Sequence, residues 1–158
     1  MSEDSPHKTR ALLGEGTCLF VVGEYERALR LFAEVQARID HDGGNPDLAA
    51  TCLELTGQSH FHLGRTGFAR RTYEELEVLD PARRDHCRLM VARTYDADGA
   101  YDNALDAVAP ILSEGRFAPA YDFALGLFWK LHGKERQRMN RLLERFLAKT
   151  QKEYTGRG

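Results

Sequence analysis

Cysteine, proline and tryptophan are scarce in this chain of 158 residues, and long apolar runs are missing. The three cysteines, Cys18, Cys52 and Cys87, are too few and too scattered for a disulfide framework. Their odd number favours reduced thiols that serve as small core residues. The longest apolar run, residues 18–22, is far too short to span a membrane. Because residues 1–10 hold no apolar segment resembling a secretory signal, we expect a cytoplasmic location.

The residue patterns of common catalytic sites are also missing. The sequence has no GxxxxGK(S/T) loop for nucleotide phosphates, no HExxH pair for zinc, no Cys-x-x-Cys and no GxSxG elbow. His60 and His62 lie two positions apart, which on a helix directs them about 200° apart, so they cannot share a metal ion. Packing between helices or a surface position is their expected role. We therefore predict no catalytic residue, no metal site and no cofactor, and a protein that is not an enzyme.

A short phrase that begins with glycine is repeated four times. It reads GEYERAL at residues 23–29, GRTGFAR at 64–70, GAYDNAL at 99–105 and, in a degraded form, GKERQRM at 133–139. The four glycines are 41, 35 and 34 residues apart. Apolar residues before and after each glycine recur with a helical period, so each unit is predicted to be two helices joined by a tight turn.

Small residues occupy equivalent positions in these units, and large residues follow them. The small ones are Gly16, Gly57, Ala92 and Gly126 in the first helices and Ala28, Ala69 and Ala104 in the second, and the large ones are Phe32, Tyr73, Val108 and Leu142. This pattern resembles the tetratricopeptide repeat (TPR) family, whose unit of about 34 residues has small residues where its two helices cross. The resemblance implies an all-α fold, a right-handed α-solenoid of antiparallel helix pairs.

The resemblance implies one TPR-like domain over residues 9–150. Its repeats are expected at about 9–41, 47–80, 82–116 and 118–150, after a disordered segment at 1–8 and before a flexible tail at 151–158. The fourth repeat is degenerate, because Arg138 replaces the crossing alanine. Its second helix is therefore expected to be a solvent-facing cap, as stacked repeats need a polar outer surface at their ends.

Two prolines predict helix boundaries. The extra residues between the first and second repeats form a loop at 41–47 that is rich in turn formers, and Asn45-Pro46 is expected to start the next helix. Pro110 lies inside a helical pattern, where proline removes a backbone hydrogen bond at a cost on the order of 3 kcal/mol. We expect that helix to kink or stop near Ala109.

Charge is distributed unevenly along the chain. Residues 1–129 hold 13 Lys and Arg against 21 Asp and Glu, whereas residues 130–158 hold 9 against 3. The basic residues near one stripe of the last helix are Lys134, Arg138, Arg141, Arg145 and Lys152. This stripe is either the solvated face of a cap or a secondary surface for an acidic protein, a nucleic-acid backbone or an anionic membrane. The lack of interleaved aromatic residues argues against nucleic acid.

In TPR proteins the first helix of each pair lines a concave surface, and the resemblance places the binding site there. The corresponding residues are Leu13, Thr17 and Phe20, then Glu54, Gln58 and Phe61, then Leu89, Arg93 and Asp96, and finally Phe123, Leu127 and Lys130. Large apolar side chains with sparse charges predict a groove that suits an extended peptide or an amphipathic helix. Packing against neighbouring repeats is the alternative role for Phe20, Phe61 and Phe123.

The expected function is that of a scaffold or adaptor that binds a peptide or helix of another protein. In size and architecture the chain is also similar to the small bacterial TPR chaperones of type III secretion, which shield an apolar segment of a client protein. That chaperone role is the alternative. The sequence leaves both a monomer and a dimer open.

Overall fold

The computed structural model describes residues 5–156, in which the regular structure is eight α-helices without a strand. The helices are α1 (Ser5–Val21), α2 (Tyr25–Asp42), α3 (Pro46–His62), α4 (Thr66–Leu79), α5 (Arg84–Ala97), α6 (Tyr101–Glu114), α7 (Ala118–Phe128) and α8 (Gly133–Thr155), and a 3₁₀ turn at Pro81–Arg83 leads into α5. The predicted all-α class is confirmed. Among the described helices, none combines the length and the apolar character needed to cross a membrane.

Three turns between paired helices share one backbone geometry. Gly23, Gly64 and Gly99 have positive φ angles of 86°, 75° and 75°. In the second turn, the glycine N–H donates to the Phe61 carbonyl at 3.0 Å and the next N–H donates to the His60 carbonyl at 2.9 Å. The other two turns contain the same pair of hydrogen bonds. Because glycine alone enters this region freely, the repeated glycine explains the repeated turn.

Small residues allow close contact where the paired helices cross. A Cβ atom added to Gly57 would lie 2.8 Å from Cε2 of Tyr73. One added to Gly16 would lie 2.7 Å from Cε1 of Phe32. The equivalent alanines of the second helices, Ala28, Ala69 and Ala104, are completely buried. The predicted pairing of a small with a large residue is confirmed for the first two repeats.

The helices before Pro81, α1 to α4, form one compact unit. Within it α1 packs on α2, α3 packs on α4, and α3 also contacts α1 and α2. Its core contains Leu13, Ala28, Phe32, Val35, Ile39, Ala49 and Cys52. The α2 members recur every three or four residues, so the helical period directs them all to one side of the helix.

The connection between α2 and α3 is shorter than predicted. α2 continues through Asp42, and Gly43 ends it with a φ of 69°, so only residues 43–45 lie between the two helices. The Asn45 side chain caps α3 by accepting a hydrogen bond from the Asp47 N–H at 2.8 Å. Pro46 is the first helical residue, where its missing N–H costs nothing. The predicted helix start at Asn45-Pro46 is confirmed.

The helices after Pro81, α5 to α8, form a second compact unit. α6 is central to it, because it contacts α5, α7 and α8. Its apolar face is completely buried, and α8 adds Met139, Leu142, Leu143 and Phe146 to the same core. α8 therefore packs one apolar face on its neighbours and leaves its charged face exposed.

The last helix pair departs from the repeat. Residues 129–132 separate α7 from α8, and Gly133 is the first residue of α8. Gly126 is exposed, and no atom lies within 4 Å of a Cβ added there, so the predicted crossing of Gly126 with Leu142 is wrong. The physical reason is that α8 packs more extensively on α6 than on α7.

Two boundary predictions are corrected by the helix positions. α1 begins at Ser5, so residues 5–8 of the segment predicted to be disordered are helical, while residues 1–4 lie outside the described residues. α8 reaches Thr155 and so includes most of the predicted flexible tail, of which residues 157–158 lie outside the described residues. The region predicted as a single domain contains the two compact units on either side of Pro81, and the single-domain assignment stays a prediction.

The stop near Ala109 that Pro110 led us to expect is not found in α6. The helix continues to Glu114 with Pro110 inside it. Proline lacks the N–H that would bond to the carbonyl of Asp106, one turn earlier. Both residues are exposed, so water can hydrate the freed carbonyl and the missing bond costs less than it would in the core.

Candidate functional site

Five of the six groove residues predicted in the first unit are half-buried on α1 and α3. They are Thr17, Phe20, Glu54, Gln58 and Phe61. Leu13, the sixth, is buried in the core of the unit. Its prediction as a surface anchor is therefore corrected, because the contact of α1 with α2 turns this side chain inward.

Phe20 and Phe61 belong to an aromatic cluster with Tyr25 and His62. The rings of Tyr25 and His62 are stacked, with centroids 4.7 Å apart and an interplanar angle of 6°. Phe20 meets both rings edge-on, at 5.5 Å from Tyr25 and 6.0 Å from His62. Phe61 meets His62 edge-on at 6.4 Å. These favourable ring contacts join the ends of α1 and α3 to the start of α2.

The two aliphatic side chains that follow Phe20 in the sequence are open to solvent. Val21 and Val22, at and just after the end of α1, are 76% and 72% exposed. Phe20 packs on the core below it, while its other side remains accessible. The four side chains Phe20, Val21, Val22 and Phe61 are called the apolar patch below.

Polar side chains beside the apolar patch are oriented by bonds within their own helices. The Thr17 hydroxyl donates to the Leu13 carbonyl at 2.7 Å. The Gln58 amide donates to a carboxylate oxygen of Glu54 at 2.7 Å. The Thr17 hydroxyl oxygen keeps its acceptor lone pairs after the hydroxyl donates, and the Gln58 amide oxygen is an acceptor that its donating NH2 group does not use, so both residues are still able to accept from a partner.

In the second unit, the predicted groove residues are divided between core and surface. Leu89 and Leu127 are buried in the core, so their prediction as surface anchors is corrected. The contacts of α5 and α7 with α6 turn these leucines inward. Phe123 is half-buried and packs against the same core, whereas Arg93 is exposed.

An ion pair brings together two further predicted residues of the second unit. Lys130 Nζ donates to Asp96 Oδ1 at 2.8 Å and lies 5.5 Å from the ring centroid of Tyr101. The hydrogen bond that Lys130 donates to Asp96 is the main reason that the pKa of Lys130 is raised. Because the pair is solvent-exposed, it contributes little to stability and chiefly orients the ammonium group.

His60 and His62 pack on different aromatic rings. His60 stacks on Phe68 with ring centroids 5.3 Å apart, and His62 stacks on Tyr25 as described above. Burial is the main cause that lowers the pKa of His60, and the nearby Arg65 charge adds to it. Among residues 5–156, no group of three or more His, Cys, Asp or Glu side chains converges as a metal site requires.

The cysteines have different environments. Cys52 and Cys87 are buried as predicted, but Cys18 is exposed on α1, so the prediction of a core position is wrong for it. The Cys52 thiol donates to the Phe32 carbonyl at 3.3 Å, and burial raises the pKa of this thiol to about 11. Cys52 is therefore held as a neutral thiol, which is a poor nucleophile.

Of the basic residues predicted to form a secondary surface on α8, one is held in an ion pair and the others are exposed. Arg138 Nη1 bonds to Asp106 Oδ1 at 2.5 Å, so this side chain links α8 to α6 instead of offering a free charge. Lys134, Arg141 and Arg145 are exposed. Within the part of the chain that the structure describes, these three form no ion pair. The predicted basic surface is thus reduced by one member.

Sequence reasoning missed Tyr25 and the two valines as surface features, whereas His62 is exposed and stacked on Tyr25, which agrees with the surface or packing role predicted for it. Tyr25 was overlooked because it belongs to a second helix, and the family rule considers only first helices. The signal for the valines was present in the apolar run at residues 18–22. Consecutive residues at a helix end point to different sides, so a short core-facing stripe cannot bury all of them.

No protein-family model, curated protein or solved structure matches this chain. The TPR resemblance therefore depends on the repeated residues and on the repeated turn geometry within each unit. The candidate surface is defined by the side chains of this chain alone.

Proposed function

We propose that the chain is a non-enzymatic protein-interaction module of the TPR type, a scaffold or adaptor that binds a peptide or an amphipathic helix of a partner protein in the cytoplasm. The proposal includes the right-handed solenoid that the TPR resemblance implies. In the first unit, the proposed contact surface is the apolar patch together with Thr17, Glu54 and Gln58.

The observation that carries this proposal is the combination of exposed valines and half-buried phenylalanines at the ends of two adjacent helices. The stacked pair of Tyr25 and His62 holds Phe20 from one side, and the core holds it from below. A partner would therefore not need to order these rings on binding, which removes part of the entropic cost of association. Rigid aromatic side chains with an accessible side are typical binding anchors.

The size of the apolar patch limits the affinity. Full burial of one large apolar side chain contributes about 1.5–3 kcal/mol, and the two phenylalanines are already half-buried. The four side chains together would supply about 4–6 kcal/mol before ordering costs are subtracted. Since a micromolar Kd corresponds to about 8 kcal/mol, polar contacts must contribute, and we expect exchangeable binding at micromolar or higher Kd.

The test uses peptides selected from a displayed library for binding to the intact chain. We expect the selected peptides to carry spaced apolar residues, and Phe61→Ala to raise their Kd about tenfold in fluorescence anisotropy, as expected for an interface anchor. Phe68→Ala is the matched control, because Phe68 is a 54% exposed phenylalanine of the same unit that lies on a second helix. It should leave the Kd nearly unchanged.

Equal effects of Phe61→Ala and Phe68→Ala on the Kd, at unchanged melting temperatures, would contradict the proposal. Pull-down from the native host followed by mass spectrometry would then identify the natural partner. A partner that is soluble only when it is coexpressed with this chain would favour the alternative, a bacterial chaperone that shields an apolar client segment.

A further inference from the structure

Three basic side chains of α8 attach this helix to its neighbours. Arg138 pairs with Asp106 of α6, and the Lys149 ammonium donates to the Ser113 carbonyl in the last turn of α6. Arg136 Nε donates to the carbonyl of the last α7 residue at 3.3 Å. These three cations are therefore occupied by contacts within the second unit.

Arg141 and Arg145 have no such role. Both are exposed, and within residues 5–156 neither side chain forms an ion pair or a hydrogen bond. Both line a groove of about 520 Å³ between α6 and α8. Since they are four residues apart, they lie one above the other on the same helix face, separated by a rise of about 6 Å.

Besides the two arginines, both aliphatic and polar side chains line the groove, and the polar ones are Asp106, Ser113 and Arg138. Ala109 and Pro110 of α6 form one wall, and Leu142 of α8 lies between the two arginines in sequence. Among the described residues that line the groove, none is aromatic, so bases would find no stacking surface. A surface that combines two free cations with aliphatic contacts suits the side chains of a polypeptide better than a sugar-phosphate backbone.

Among the described residues, the nearby carboxylates form no ion pair with the two arginines. Asp106 is engaged by Arg138 at 2.5 Å, and Glu144 accepts a hydrogen bond from the Asn140 amide at 3.1 Å. The guanidinium groups of Arg141 and Arg145 are thus available to an external acid. Guanidinium is the side-chain group best matched to a carboxylate, because it donates two parallel hydrogen bonds to both oxygens.

We propose that the groove between α6 and α8 binds an acidic segment of a partner protein, with one carboxylate on Arg141 and another on Arg145. In an extended peptide, side chains on one face are about 6.8 Å apart, which is close to the rise of about 6 Å between the two arginines. Alternating acidic and small residues therefore fit the groove. The site lies in the second unit and does not depend on the apolar patch.

The test measures binding of a fluorescein-labelled peptide in which Asp and Ala alternate, with an Asn-Ala peptide as the uncharged control. We expect Arg141→Gln/Arg145→Gln to raise the Kd of the acidic peptide at least about tenfold, because each arginine loses a charge-assisted hydrogen-bonded pair. Lys134→Gln/Lys152→Gln removes the same charge from exposed positions of α8 outside the groove and should change the Kd less than about twofold.

Four results would overturn this proposal. The first is no measurable binding of the acidic peptide, and the second is an equal loss of peptide binding in both double variants. The third is tighter, arginine-dependent binding of phosphatidylserine vesicles or of a single-stranded oligonucleotide. The fourth is a wild-type dimer in sedimentation that dissociates in Arg141→Gln/Arg145→Gln. The second would indicate net charge alone, the third a phosphate ligand, and the fourth a second copy of the chain as the occupant. Unchanged melting temperatures would show that both double variants remain folded.

Discussion

Gly57 of α3 lies against the ring of Tyr73 of α4, so closely that a Cβ atom at position 57 would be 2.8 Å from Cε2 and 2.9 Å from Cζ. Tyr73 is completely buried, so its ring cannot move aside without disturbing the packing around it. The contact explains why a glycine occupies the middle of a helix, where alanine would be favoured by about 1 kcal/mol.

We expect Gly57→Ala to lower the free energy of unfolding by up to about 2 kcal/mol. Overpacking of a tight contact costs about 1–3 kcal/mol, and the better helix propensity of alanine offsets about 1 kcal/mol of this. Urea unfolding followed by circular dichroism measures the difference. Gly67→Ala on α4 is the control, because no atom lies within 4 Å of an added Cβ there. A variant Gly57→Ala as stable as Gly67→Ala would show that α3 and α4 can separate freely.

The first three helix pairs could be predicted because their determinants are local. A glycine with positive φ forms each turn. In the first two helix pairs, a small residue faces a large aromatic ring where the helices cross. Both features depend on residue types at fixed spacing, which the sequence displays directly. The fourth pair could not be predicted in this way, since the position of α8 depends on its contact with α6, a distant element in the chain.

The candidate surface was harder to predict than the fold. Leu13, Leu89 and Leu127 were assigned to the surface by their position in the repeat, yet all three are buried. An apolar groove and an apolar core leave the same periodic pattern on a helix, and only the neighbouring helices determine which side is covered. The same limit applied to Cys18. This residue fits the apolar pattern of α1, yet its side chain is exposed.

Pro110 is predicted to reduce stability. We expect Pro110→Ala to raise the free energy of unfolding by about 1–2 kcal/mol, because the new N–H can bond to the Asp106 carbonyl. The gain is smaller than the full cost of a helix-interior proline, since the unfolded chain also becomes more flexible. Pro119→Ala is the control: Pro119 lies in the first turn of α7, where no helical N–H partner is lost. If both variants have the same melting temperature as the wild type, the freed carbonyl of Asp106 is fully compensated by water.

The three cysteines are expected to differ in reactivity. Cys18 is exposed, so a maleimide should label it in the native protein within the mixing time of the experiment. Cys52 and Cys87 are almost completely buried and should be labelled only at the rate at which the chain opens. Mass spectrometry of the intact protein counts the labels, and Cys18→Ser is the control that should remove the fast one. Three fast labels in the native state would contradict the burial of Cys52 and Cys87.

The raised pKa of Cys52 predicts a loss of stability in alkaline solution. Its thiol titrates at about 11 in the folded chain instead of the ordinary 9.0, so the contribution to stability is complete below pH 9 and is lost as the pH rises through 11. Each unit of pKa difference corresponds to about 1.4 kcal/mol, which gives a loss of about 2–3 kcal/mol over this range. Because tyrosines and lysines also titrate there, the informative quantity is the difference between the wild type and Cys52→Ala in the pH dependence of urea unfolding. We expect the wild type to lose more stability than Cys52→Ala between pH 9 and 11. If the free energies of unfolding of the two proteins instead fall in parallel with pH, the Cys52 thiol ionises as easily in the folded chain as in the unfolded one.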